Sequence, residues 1–216
     1  MIAGITLKIC GLTSLLDAEF AAKSGAKYLG FIFHPASPRA LTLEKYRRFA
    51  SGLSGARKVA VSVEPNADAL AAMKEAGFDF FQIHFRHGLP DAQVAAWSGA
   101  VGAERLWLAP SLPPTAALPE RLLPFASTFL LDTFDARKFG GTGRTGDWEK
   151  FARARKAHRG KTWILSGGLG AENIVEGVRA SGARFVDVSS GVESAPGVKD
   201  HAKISALVQA IATIPT

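Results

Sequence analysis

At 216 residues, with 47% hydrophobic and 21% charged side chains, the chain has the length for one sizeable core and the balance of a compact soluble protein rather than a disordered or membrane one. No run approaches the ~18 apolar residues of a membrane span, and a lone cysteine, Cys10, excludes an internal disulfide. The net charge of +7 suits nucleic acid or an anionic metabolite. The basic residues are dispersed over helical segments (Lys45, Arg47, Arg48; Arg153, Arg155, Lys156) without a nucleic-acid-reading motif, so no nucleic-acid partner is expected.

The chain opens Met1-Ile2-Ala3-Gly4 with no basic n-region, apolar h-region or cleavage site, and a cytoplasmic location is expected. The apolar run Ile5–Cys10 predicts a first strand, and helical spacing over Ser14–Ser24 a helix. The alternation then repeats. Strands are predicted at Tyr28–Phe33, Lys58–Val63, Phe78–His84, Arg105–Ala109, Thr128–Asp132, Thr162–Ser166 and Phe185–Ser189. Helices are predicted between and after them at Leu43–Leu53, Ala67–Ala76, Asp91–Ser98, Trp148–Ala157, Ala171–Ala180 and Lys199–Ala212. The stretch near Leu118–Phe125 has the weakest helical pattern, because Pro113, Pro114, Pro119 and Pro124 crowd it. Glycines that end helices stand before strands at Gly25, Gly77 and Gly182. Most strands are continuously apolar, as parallel strands covered on both faces must be. These features predict an α/β fold, a single (β/α)8 TIM barrel with parallel strands and outer helices, forming one catalytic domain over 1–216. An open doubly wound sheet is the alternative, but no GxGxxG fingerprint follows the first strand.

A barrel of this kind carries its site at the C-terminal strand ends, so the polar residues after each apolar run are the candidates. The first strand delivers Cys10. Lys8, two residues earlier and on the same face, is expected to depress its thiol pKa, giving a thiolate able to take a proton from carbon. Asp132 ends the apolar Phe129-Leu130-Leu131, where a carboxylate is costly without a polar or catalytic task. Cys10 and Asp132 fall in opposite parts of the strand order, as an acid and a base acting on one substrate require. Ser166-Gly167-Gly168-Leu169 and Ser189-Ser190-Gly191 read as phosphate cradles built from backbone N–H groups, after strands seven and eight. The glycine-rich loop 135–146 reads as a lid that excludes water.

The segments Lys8-Ile9-Cys10-Gly11, Ser37-Pro38-Arg39, Asp132-Thr133, Gly140-Gly141-Thr142-Gly143, Leu165-Ser166-Gly167-Gly168-Leu169 and Asp187 through Glu193 together resemble the signature segments of the phosphoribosylanthranilate isomerase family of tryptophan biosynthesis. The resemblance implies an aldose-ketose isomerase that performs an Amadori rearrangement of N-(5′-phosphoribosyl)anthranilate, with no metal or organic cofactor; a monomer or homodimer is expected. It implies Asp132 as general acid and Cys10 as general base, with Arg39 on the anthranilate carboxylate and His84 and Gly141 as further substrate-binding positions. Gly167, Gly168, Ser189, Ser190 and Gly191 would hold the phosphate. The fourth strand departs from the family's Gln-Leu-His-Gly, reading Gln82-Ile83-His84-Phe85, and the small Ser62 is expected to stand beside the bulky Phe85. The rival readings are a related sugar-phosphate isomerase, which would use two carboxylates, and a non-catalytic phosphate-ligand-binding barrel, which would keep both glycine loops and lose the acid or base.

Overall fold

A computed structural model describes residues 1–53, 55–113, 116–132 and 147–215. Eight parallel strands close into a barrel in chain order: β1 (Thr6–Ile9), β2 (Tyr28–Ile32), β3 (Arg57–Val63), β4 (Phe80–Arg86), β5 (Leu106–Ser111), β6 (Thr128–Leu131), β7 (Thr162–Leu165) and β8 (Phe185–Val188). Closure comes from β8 lying against β1, with Lys8 directly opposite Asp187. The predicted (β/α)8 barrel is thus the observed fold. Among the described residues, no helix is long and apolar enough to cross a membrane.

Helices α1 (Leu15–Lys23), α2 (Leu43–Ala50), α3 (Ala67–Glu75), α4 (Asp91–Val101), α5 (Trp148–Ala157), α6 (Ile174–Ser181) and α7 (His201–Ala212) alternate with the strands. Their starts follow from local chemistry. Ser14, Thr42, Asn66, Asp147 and Asp200 each accept a hydrogen bond from a first-turn N–H. Gly25, Gly77 and Gly182 all adopt positive φ, as expected of residues that turn a finished helix toward the sheet. Between β5 and β6 the proline-crowded segment forms a short 3₁₀ helix, Glu120–Phe125, with Pro124 inside it. The expected α7 start at Lys199 is shifted, because Val198–Lys199 pairs antiparallel with Glu193–Ala195 in a small hairpin.

The period of two along each strand sorts the buried residues into two layers. Leu7, Leu29, Phe81, Ile83 and Leu108 belong to the core between sheet and helices. Tyr28, Val59, Trp107, Leu130, Ile164 and Phe185 belong to the core inside the barrel. Near the strand starts, Tyr28, Trp107 and Phe185 meet with ring centroids 5.1–5.5 Å apart, and Phe80 lies 5.0 Å from Trp107. Aromatic rings therefore close the lower barrel, and polar interior positions lie above them toward the strand C-termini. Phe85 points the other way, buried in the outer core with its ring 5.6 Å from that of Trp97 on α4. Ser62 is in register with Ile83 rather than with Phe85, so the expected Ser62–Phe85 pairing gives way to a Phe85–Trp97 contact.

Candidate active site

A cavity opens at the strand C-termini, lined among others by Cys10, Arg39, His84, Asp132, Ser166, Asp187 and Ser189. Four of the expected site residues from strand ends, Cys10, His84, Asp132 and Ser189, therefore meet in one place, joined by Arg39 from the loop after β2. In the closed order, β1 and β6 are separated by two strands on one side and four on the other, so Cys10 and Asp132 reach the cavity from different parts of its wall.

Cys10 is buried, with its N–H donating to the Val188 carbonyl. Beneath it, Lys8 is fully buried and its Nζ lies 2.8 Å from Asp187 Oδ2. Gly30, on the neighbouring strand, makes this possible: a Cβ there would fall 2.8 Å from Cys10 Sγ and 3.0 Å from Lys8 Nζ. The expected net depression of the thiol pKa is not found. Burial pushes the Cys10 thiol above its ordinary value, and the Lys8 ammonium pulls it only part of the way back. For Lys8 itself, burial works to lower the pKa, but Asp187 and Cys10 outweigh it and the ammonium is held more firmly than usual.

Arg39 is held in a two-bond fork by Glu193, with Nε 2.8 Å from Oε1 and Nη2 2.6 Å from Oε2. Lys199 Nζ, also buried, lies 2.7 Å from the same Oε1. Burial works to raise the Glu193 pKa, but these two cations outweigh it and hold the carboxyl below the usual carboxylate range. Among the described residues, Nη1 is the guanidinium nitrogen of Arg39 without a hydrogen-bond partner. Sequence reading had no handle on this contact, since the partners are 154 positions apart. Asp187 was legible in principle: it stands two residues before Ser189 on the same strand face, as Lys8 does before Cys10.

His84 lies with its Nε2 2.8 Å from Gln82 Nε2. Burial, with help from Lys8 and His34, pushes its pKa down to about 3, so the ring is neutral and Nε2 accepts from the Gln82 amide. The folded-state pKa lies below the ordinary 6.5. Stability from this group is therefore complete above pH ~6.5 and is lost as pH falls toward 3, because only the unfolded chain takes up the proton. Urea unfolding at pH 6.5 and pH 5 should show a loss on the order of 1–2 kcal/mol in the wild type that is absent in His84→Gln. An equal loss in both proteins would mean that His84 is not buried as a neutral ring.

The two glycine loops are adjacent, as a phosphate cradle requires. Gly167 and Gly168 turn with φ of 98° and 61°, and neither N–H has a main-chain partner among the described residues. Asn173 stitches this loop, donating from Nδ2 to the Gly168 carbonyl at 2.8 Å and accepting from the Gly170 N–H at 2.9 Å. From β8, Ser190 and Gly191 lie in a single 3₁₀ turn, Ser190–Val192. Gly191 packs so closely on the first loop that a Cβ there would fall inside contact distance of the Leu169 carbonyl oxygen and 3.0 Å from Gly170 Cα. Gly141 and the expected lid over 135–146 lie outside the described residues.

The family model described as N-(5′phosphoribosyl)anthranilate (PRA) isomerase matches residues 7–210. The N-(5′-phosphoribosyl)anthranilate isomerase of Cereibacter sphaeroides is 36% identical over 96% of this chain and 98% of its own. A crystal structure of phosphoribosyl anthranilate isomerase from Thermus thermophilus is similar with a TM-score of 0.80 at 31% identity, covering 97% of this chain and 99% of its own. Another solved phosphoribosyl anthranilate isomerase, in complex with reduced 1-(o-carboxyphenylamino)-1-deoxyribulose 5-phosphate, gives a TM-score of 0.75 at 30% identity over 96% and 98% of the two chains.

Proposed function

Because the chain belongs to the N-(5′-phosphoribosyl)anthranilate isomerase family, and so isomerises that aminoaldose phosphate to the aminoketose in tryptophan biosynthesis, we propose that Asp132 and Cys10 are its acid and base. Asp132 gives a proton to the ribose ring oxygen as the C1′–O bond breaks, and the ring opens to an iminium. Cys10, as thiolate, takes the C2′ proton, and the bonding pair becomes the C1′=C2′ bond of an enolamine. Loss of the 2′-hydroxyl proton and protonation at C1′ then give the ketone. Atoms and electrons balance within the substrate, so no outside oxidant or reductant is consumed.

The observation that most supports this reading is that Cys10 and Asp132 open on one cavity, with the glycine loops after β7 and β8 beside it. In the same reading, Gly167, Gly168, Ser189, Ser190 and Gly191 take the phosphate, and Arg39 offers its remaining nitrogen to the anthranilate carboxylate while Glu193 holds the fork. His84, neutral and hydrogen-bonded to Gln82, acts as a polar contact rather than a charge. The chain would work as one catalytic domain in the cytoplasm on a small phosphorylated substrate, without nucleic acid. A site built within one chain is compatible with a monomer or a homodimer.

The test is turnover of enzymatically generated phosphoribosylanthranilate, followed by loss of its anthranilate-type fluorescence, in wild type and Asp132→Asn. Wild-type turnover reduced ~10²–10⁴-fold in the variant supports the assignment. Full activity in the variant would remove Asp132 from the acid role. A wild type that binds the reduced product analogue without turning over substrate would instead make this a ligand-binding barrel.

A further inference from the structure

A buried ion pair is weak evidence of stabilisation, since desolvation of both partners offsets their attraction. The Lys8–Asp187 pair is an unusual case even so. Both side chains are almost wholly buried, and Asp187 Oδ1 has no hydrogen-bond partner among the described residues. A pair kept only for packing would gain by satisfying that oxygen or by replacement with apolar side chains. Its position points to a different use. The Nζ of Lys8 and the Sγ of Cys10 converge on the same face of Gly30, which keeps them inside the ~4–6 Å range over which one charge governs another's ionisation.

We propose that the Lys8–Asp187 pair is the device that sets the charge state of Cys10, with Lys8 stabilising the thiolate and Asp187 opposing it. This rests on the reading of Cys10 as the base and gives the residues beneath it positioning roles. Lys8 supplies the compensating charge that a buried thiolate needs. Asp187 keeps Lys8 protonated and fixes where its ammonium stands, at the cost of a second anion near the sulfur. The opposing effects on Cys10 are both present: Lys8 lowers and Asp187 raises its pKa, within a net rise set by burial.

Among the described residues, the other charged or titratable groups around the sulfur are Lys199 from the hairpin, Arg39 and His34 from the loop after β2, Asp132 after β6 and the neutral His84 on β4. Of these, Lys199 and Arg39 are committed to Glu193. Among the described residues, Lys8 is therefore the principal cation acting on the thiol.

The chain's single cysteine makes the experiment direct: the rate of iodoacetamide alkylation is followed against pH in wild type, Lys8→Met and Asp187→Asn, with kcat/KM profiles recorded in parallel. Lys8→Met should move the alkylation midpoint up by a pH unit or more, and Asp187→Asn should move it down. A merely structural pair would move neither midpoint, or both the same way, and either result overturns the proposal. If Lys8→Met fails to fold, the double variant Lys8→Met/Asp187→Asn leaves no unpaired charge. Its midpoint should then rise above the wild type's, and an unchanged midpoint overturns the proposal. Midpoints that shift as expected while the acid limb of kcat/KM stays fixed would uphold the device and reject Cys10 as the base.

Discussion

Cys10→Ser is expected to lose ~10²–10⁴-fold in kcat while still binding the reduced product analogue. Serine keeps the backbone bond to Val188 and a polar atom over Gly30 facing Lys8, so the floor of the cavity should keep its arrangement. What changes is acid strength. A thiol ionises near pH 8.5 before the protein acts on it, whereas a hydroxyl does not ionise in the working range of an enzyme. The same replacement shortens the reach of the side chain toward the C2′ hydrogen. Stopped-flow turnover alongside calorimetric titration of the analogue separates these effects from a collapse of the site. Turnover at the wild-type rate would mean that another group takes the proton.

Gly191→Ala should be nearly as damaging, and through binding rather than chemistry. The added methyl meets the Leu169 carbonyl and Gly170 Cα, both backbone atoms that cannot rotate away. The loops after β7 and β8 must then separate, and with them the N–H groups proposed to hold the phosphate. A displacement of ~1 Å in a positioning group can cost ~10²-fold, so KM is expected to rise by that order with a smaller change in kcat. Overpacking should also lower stability by ~1–3 kcal/mol. Steady-state kinetics and a urea titration measure both, and an unaltered KM would take Gly191 out of the phosphate site.

Local chemistry made the barrel legible in the sequence. The continuously apolar strands and the glycines at 25, 77 and 182 each act within a few positions, where sequence patterns are informative. The segment around Pro119 and Pro124 was harder, since proline permits the short 3₁₀ turn that replaces an α-helix there. Within the site, Cys10, Asp132 and the glycine loops announced themselves as polar or glycine positions after apolar runs. The Arg39–Glu193–Lys199 network did not, because its members meet only once the chain has gone round the barrel. The direction of the Cys10 shift was missed for a related reason: strand spacing shows that Lys8 shares its face, but the weight of burial against that charge depends on everything packed around both.

The rings of Tyr28, Phe80, Trp107 and Phe185 fill the barrel at the end away from the cavity. They pack on one another, and none of the four lines the cavity. The two ends can therefore accumulate substitutions under separate pressures, one for cohesion and one for ligand preference. A lineage could remodel its substrate range at the rim while drawing on cohesion held below, which makes this architecture tolerant ground for new specificities.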